Sequence, residues 1–118
     1  MLDYGRQEPG EPYRRISVGE AAAMQEAGAI VIDVRRDDEW ASGHVTGALH
    51  IPVDDLLGQA ETMLPTDKQL LFICAMGARS GLACEMVSAL GFDSDILFNI
   101  EEGTPTWIQN NLPTEYGP

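Results

Sequence analysis

No stretch of the chain approaches the roughly 20 consecutive apolar residues that a helix needs to cross a bilayer, so the sequence reads as that of a soluble protein. Basic residues are scarce: seven Lys and Arg stand against nineteen Asp and Glu, a formal charge of −12. Nucleic acids and anionic membranes are held by clustered Lys and Arg, and both are therefore excluded as partners. Only two cysteines and two histidines are present. Isolated histidines do not make a metal site. A Cys74–Cys84 disulfide would drag a strand-end loop against the helix it precedes, so both cysteines are expected as free thiols in a reducing compartment. The opening residues, Met1 to Pro12, have neither a basic start nor an apolar segment, so no secretory signal is read there and the cytoplasm is the expected location. Internal repeats and low-complexity tracts are also missing. A chain of 118 residues is then one domain, large enough to bury somewhat under about 70% of its extended surface.

What is present alternates. Residues 1–12, rich in Gly, Pro and charge, are expected as an N-terminal tail or loosely docked arm, 13–113 as the domain and 114–118 as a C-terminal tail. Arg14-Arg15-Ile16 suits a short first strand. Ser17-Val18-Gly19-Glu20 has the pattern of a capping box and predicts a helix through Ala27 that Gly28 closes. Ala29 to Val34 is too continuously apolar for an exposed strand and predicts a central one covered on both faces. A helical turn starts at Asp37 or Asp38 and ends before Gly43. Ala48–Ile51 reads as a short strand stopped by Pro52. Val53–Met63 predicts a helix presenting Leu56, Leu57, Ala60 and Leu64 on one face. Leu70–Ile73 is a strand, and Ser80–Leu90 is a helix whose apolar stripe is Leu82, Ala83, Met86, Val87 and Leu90, with Gly91 after it. Asp95–Phe98 is expected as the last strand and 101–110 as a final short helix with Trp107 and Ile108. Strands alternating with helices imply an α/β fold, a parallel sheet with helices on both faces.

The most informative segment is Cys74-Ala75-Met76-Gly77-Ala78-Arg79-Ser80, a loop between a strand and a helix. In an open α/β sheet the carboxyl edge of the strands is where ligands bind, and the following helix aims unpaired N–H groups back at the loop. Gly77 allows successive N–H groups to converge into a nest, while Ala75 and Ala78 keep the rim small. A thiol in such a field ionises more readily. A drop of roughly two pKa units would make the thiolate of Cys74 the dominant form at neutral pH. Arg79 adds a permanent charge and a fork suited to an oxyanion, or alternatively a surface salt bridge. Ser80 is a good N-cap for the helix, and its hydroxyl is also within reach of the Cys74 sulfur. Cys84, about three helical turns beyond the loop, reads as a small packed residue.

At Cys74, Gly77, Arg79 and Ser80 the chain resembles the rhodanese family of single-domain sulfurtransferases, whose loop reads Cys-x-x-Gly-x-Arg-Ser/Thr. Asp33-Val34-Arg35, Gly43-His44-Val45-Thr46-Gly47-Ala48 with Ile51-Pro52, and Gly91-Phe92 extend the resemblance over most of residues 13–113. It implies a three-layer α/β/α fold around a five-stranded parallel sheet. It also implies a thiosulfate sulfurtransferase activity in two steps. The Cys74 thiolate takes the outer sulfur of a small anionic donor such as thiosulfate, and the persulfide then passes that sulfur to cyanide or a thiol, a protein acceptor included. No metal or organic cofactor is implied. Cys74 is then the catalytic residue, and Ala75, Met76, Gly77, Ala78, Arg79 and Ser80 bind the substrate. Asp33 and Arg35 stand behind them, with the structural reading, a pairing of Arg35 with Glu39 that fixes the next turn, preferred to catalysis. His44 is expected to be structural, and His50 lies where the family often has asparagine. Trp40 and Trp107 are expected to pack. Glu102-Gly103 replaces paired glycines common in the family, which leaves the start of the last helix open.

Two other functions compete. A related phosphatase and arsenate reductase group uses Cys-x5-Arg, a wider loop for a tetrahedral anion than the four residues between Cys74 and Arg79. Rhodanese-like domains without the cysteine serve as binding modules, and between these extremes lies a non-enzymatic sulfur carrier serving one protein acceptor.

Overall fold

A computed structural model describes residues 4–118. The first three residues of the expected N-terminal tail lie outside the described residues.

The elements follow one another as β1 (Arg14–Ile16), α1 (Val18–Glu26), β2 (Ile30–Asp33), α2 (Asp37–Ala41), β3 (His44–Val45), β4 (Leu49–His50), α3 (Val53–Met63), β5 (Leu70–Ile73), α4 (Ala78–Ala89), a 3-10 turn (Ser94–Ile96), β6 (Leu97–Ile100), α5 (Gly103–Gln109) and β7 (Thr114–Glu115). Five strands form one sheet in the order β1-β6-β5-β2-β4, every pair parallel. The α/β architecture expected from the alternation of elements is thus present, as a three-layer α/β/α sandwich. β5 occupies the middle of the sheet, with β2 beside it in the register Ile30↔Leu70 to Asp33↔Ile73. Its carboxyl end leads directly into Cys74.

Both faces of the sheet are buried, which is why its central strand β5 is apolar at every position and its neighbours β2 and β6 are apolar except at Asp33 and Asn99. Side chains alternate between two cores. Ile32, Leu70 and Phe72 face α3 and α4 through Leu56, Ala60, Ala83 and Val87. Val31, Leu71 and Ile73 face the other way, onto Ala21 and Met24 of α1 and Trp107 of α5. The capping box at Ser17 forms as expected: Glu20 N–H donates to Ser17 Oγ at 3.1 Å and Ser17 N–H to Glu20 Oε1 at 2.9 Å.

Several boundaries and faces differ from the sequence reading. The stretch Asp95–Phe98 divides into the 3-10 turn and β6, because Asp93 caps Asp95 N–H and delays the strand to Leu97. Leu57, placed on the buried stripe of α3, is 53% exposed. Leu82, placed on that of α4, is 50% exposed. Each lies next to a truly buried neighbour, and the angle of 100° between successive helical residues turns it out of the contact. The terminal segments are attached. Gly5 N–H donates to Glu20, Arg6 and Arg15 form an antiparallel bridge, and the Arg6 guanidinium grips Glu101. Within 114–118, β7 pairs with β3 in a small antiparallel sheet. Among the described residues no helix is long and apolar enough to cross a membrane.

Candidate functional site

The loop after β5 is built from backbone geometry first. Gly77 has φ +92° and is itself the N-cap of α4, so the helix begins at Ala78. The expectation that Ser80 caps the helix is corrected: three residues into α4, its hydroxyl is free to turn inward. Gly77 suits its place for two reasons. Its positive φ is open to glycine, and a Cβ there would lie 2.7 Å from the Glu101 carbonyl oxygen. Gly103, φ +81°, closes the loop from the other side, because a Cβ there would collide with the Ala75 carbonyl oxygen. Thr104 then donates to the Cys74 carbonyl oxygen through its N–H at 2.9 Å and its hydroxyl at 3.2 Å. This settles the start of the last helix at Gly103. Glu102 is accommodated because its backbone is ordinary right-handed helix, and its carboxylate accepts from Val18 N–H at the start of α1.

Cys74 is fully buried. Its sulfur accepts from Gly77 N–H at 3.1 Å and lies 3.3 Å from Ser80 Oγ. Burial alone would push this thiol up, yet hydrogen bonds from the Ser80 hydroxyl and from the N–H groups of Ser80, Met76 and Gly77 outweigh it, and the pKa lies below the ordinary thiol value. Cys84 shows the opposite balance. It is buried on α4 without such donors, and desolvation raises its pKa well above the ordinary value. Both cysteines are free thiols.

Ala75, Met76 and Gly77 form the loop and Ala78 opens α4, with Met76 85% exposed at the loop's tip. Arg79 does not point a free guanidinium at the sulfur. Its Nη1 and Nη2 donate to Glu39 Oε1 and Oε2 of α2 at 2.7 and 2.9 Å, a bidentate pair that clamps the start of α4 to the turn after β2. The hydrogen bonds from Arg79 hold the Glu39 carboxyl down to about 2 against the cost of its burial. The expected pairing of Arg35 with Glu39 is therefore also corrected. Arg35 forks onto Asp33, with Nη2 to Oδ2 at 2.7 Å, and donates to the Gly43 carbonyl oxygen at 2.7 Å. Asp33 and Arg35 form a buried pair that ties the end of β2 to the Gly43 turn.

Trp40 is sandwiched between the rings of His44 and His50, with centroids at 3.5 and 4.6 Å. Each histidine is bonded to a backbone carbonyl, His44 Nδ1 to Trp40 and His50 Nε2 to Arg35, both at 2.8 Å. Among the described residues no three His, Cys, Asp or Glu side chains gather to hold a metal. Beside the loop lies a groove of about 490 Å³, bordered by Met76, Gly77, Gly81, Leu82, Glu85 and Asn99.

Three contributors escaped the sequence reading. Glu39 was visible as a charge in α2 but not as the partner of Arg79, since nothing local joins residues forty positions apart. Thr104 supports the Cys74 carbonyl. Asn99 accepts from the Ser80 hydroxyl at 2.5 Å and donates to the Gly77 carbonyl oxygen at 3.1 Å. Its one available signal was a lone amide in the otherwise apolar strand β6.

Comparison with known proteins agrees with this architecture. A chain from Bacillus subtilis named putative sulfurtransferase YtwF is 39% identical over 83 residues, covering 70% of this chain and 77% of its own. The thiosulfate sulfurtransferase GlpE of Pseudomonas entomophila is 33% identical over 98 residues, covering 80% of this chain and 84% of its own. The crystal structure of a rhodanese-related protein from Thermoplasma volcanium superposes with a TM-score of 0.76 at 32% identity, over 87% of this chain and 98% of the other. The family model described as rhodanese-like domain matches residues 17–110, and with the loop, the sheet order and these relatives in agreement, the chain belongs to the rhodanese-like family.

Proposed function

We propose that this chain is a sulfurtransferase that carries sulfane sulfur as a persulfide on Cys74. The observation that carries the reading is the polar surroundings of one sulfur: Gly77 N–H donates to Sγ at 3.1 Å and the Ser80 hydroxyl lies 3.3 Å from it, at the carboxyl end of the central strand. The names of the relatives in Bacillus and Pseudomonas support the activity class.

In the first half-reaction the Cys74 thiolate attacks the outer sulfur of thiosulfate. A new S–S bond forms to Sγ, the old S–S bond breaks, and sulfite leaves with its electron pair. In the second, cyanide or a thiolate attacks the terminal sulfur and Cys74 leaves as the thiolate, giving thiocyanate or a new persulfide. Negative charge is present on sulfur at each stage, and loop N–H groups hold it as an oxyanion hole holds oxygen, where one lost donor costs about 3–4 kcal/mol. Since Cys74 is fully buried, a donor reaches Sγ only through a rearrangement of the loop, whose most exposed side chain is Met76. Arg79, committed to Glu39, positions the loop and lends its charge at a distance; that commitment also weighs against a phosphatase, which needs the arginine on the anion. The acceptor is a small nucleophile or a protein thiol, and the acidic chain fits a cytoplasmic enzyme that uses neither nucleic acid nor membrane.

The test is intact mass before and after thiosulfate, then after cyanide. A gain of about 32 Da that cyanide removes, that Cys74→Ser abolishes and that Cys84→Ser retains is expected. A folded protein that gains no sulfur from thiosulfate or from a small polysulfide would refute the carrier role.

A further inference from the structure

The buried hydroxyl of Ser80 has two acceptors and one proton. Its oxygen lies 2.5 Å from Asn99 Oδ1 and 3.3 Å from Cys74 Sγ. The orientation of the Asn99 amide is fixed, because its other end faces the Gly77 carbonyl oxygen at 3.1 Å and only Nδ2 can donate there. Oδ1 must therefore face Ser80, and it can only accept. With Cys74 neutral, a complete chain exists: S–H donates to Ser80 Oγ, and Ser80 O–H donates to Asn99 Oδ1. With Cys74 ionised, the same hydroxyl must turn to the sulfur, leaving the buried Asn99 oxygen without its donor. The two demands cannot both be met.

We infer that Asn99 is a positioning residue that competes with the Cys74 sulfur for the Ser80 proton, so that Ser80 acts as a two-position switch between the neutral and the anionic sulfur. No proton leaves the site when the hydroxyl turns; it is a rotation about the Cβ–Oγ bond, driven by the charge on Sγ. When sulfur is loaded, the charge moves from Sγ to the terminal sulfur, and the hydroxyl returns to Asn99. The amide thus favours the thiol and the loaded state over the bare thiolate. It limits how far the nest depresses the thiol, and it helps the loop to hold its cargo. Asn99, itself buried, stands in the wall of the groove beside the loop.

The charged and titratable groups around the loop are Arg79 on α4 with Glu39 on α2, the Asp33–Arg35 pair at the end of β2, Glu101 after β6 with Arg6 and Arg15, and, across the groove, Glu85 on α4 with Tyr13 and Glu11 before β1. None is altered by a neutral substitution at Asn99, so a change in ionisation there reports the hydrogen bonds.

The inference rests on the reading of Cys74 as sulfur carrier, and the experiment separates the two. The pH dependence of Cys74 alkylation by iodoacetamide, followed on its own peptide by mass, gives the thiol pKa without any turnover. Asn99→Leu frees the Ser80 proton for sulfur and is expected to lower that pKa by about one unit, tenfold in thiolate fraction below the pKa. Ser80→Ala is expected to raise it, and adding Asn99→Leu to Ser80→Ala to change nothing further. A folded Asn99→Leu protein with an unchanged or raised pKa, or with the same drop in the Ser80→Ala background, would overturn the switch. Should Asn99→Leu not fold, Asn99→Asp decides: the stronger acceptor raises the pKa, and by more with Ser80 present than without it, whereas an equal rise in both backgrounds overturns the inference. Thiosulfate loading of the wild type, read by mass in parallel, tests the carrier role alone.

Discussion

Glu39→Gln removes the charge from the carboxylate that fastens Arg79, and the structure gives the size and the pH dependence of the loss. The Glu39 carboxyl lies at about 2 against an ordinary 4.5, held there by the two hydrogen bonds from Arg79, by Arg36 N–H and by the two guanidinium charges, after burial has pushed the other way. A difference of about 2.5 units corresponds to roughly 3.4 kcal/mol at 1.36 kcal/mol per unit. Arg79 is 31% and Glu39 20% exposed, so solvent screening brings this down to about 1–2 kcal/mol. The folded pKa is the lower one, so the unfolded chain binds the extra proton as pH falls. The contribution is complete above the unfolded value of 4.5 and disappears as pH falls through about 2. Glu39→Gln is therefore expected to be about 1–2 kcal/mol less stable than wild type at neutral pH, with the gap narrowing by roughly 0.5 kcal/mol per pH unit as pH falls below 4.5. Urea unfolding followed by far-UV circular dichroism, from neutral pH down to about pH 3, measures it. A gap that stays constant across this range would show that the cost comes from packing of the turn and not from the charge, and would refute the reasoning.

Gly103→Ala forces both a positive φ and a collision with the Ala75 carbonyl oxygen, so it is expected to cost about 2–4 kcal/mol and to abolish sulfur loading even where the sheet survives; near-UV circular dichroism and intact mass read the two effects. On α3 the adjacent leucines should separate cleanly in thermal unfolding. Leu56→Ala, in the core against β5, is expected to lose about 2–5 kcal/mol, and Leu57→Ala, half exposed, less than about 0.5 kcal/mol.

Much of the fold was legible because the signals that carry it are local. The apolar runs of β2 and β5, the capping box at Ser17 and the glycines after α1 and α4 each report a backbone requirement within a few residues, and each lies where expected. Face assignments at helix edges failed at Leu57 and Leu82, since an apolar residue one position away from the contact looks the same in sequence as one inside it. The division of Asp95–Phe98 was missed because a single Asx cap at Asp93 delays β6.

By itself the sequence determined that one α/β domain forms, that Cys74 ends a buried strand, and that a glycine-bearing loop and a helix start follow it. Those properties come from composition, periodicity and the freedom of Gly77, all written in neighbouring residues. The tertiary structure alone decided the partners. Arg79 belongs to Glu39, Arg35 to Asp33, Gly103 to the Ala75 carbonyl and Ser80 to both Asn99 and the sulfur. Apart from the Asp33–Arg35 fork and the contact of Ser80 with the Cys74 sulfur, which the loop itself puts within reach, each of these joins groups brought together only when parallel strands align their carboxyl ends at one edge of the sheet. Which donor meets which acceptor is set there by burial, where every polar group must find a partner, and no reading of local preference supplies that constraint.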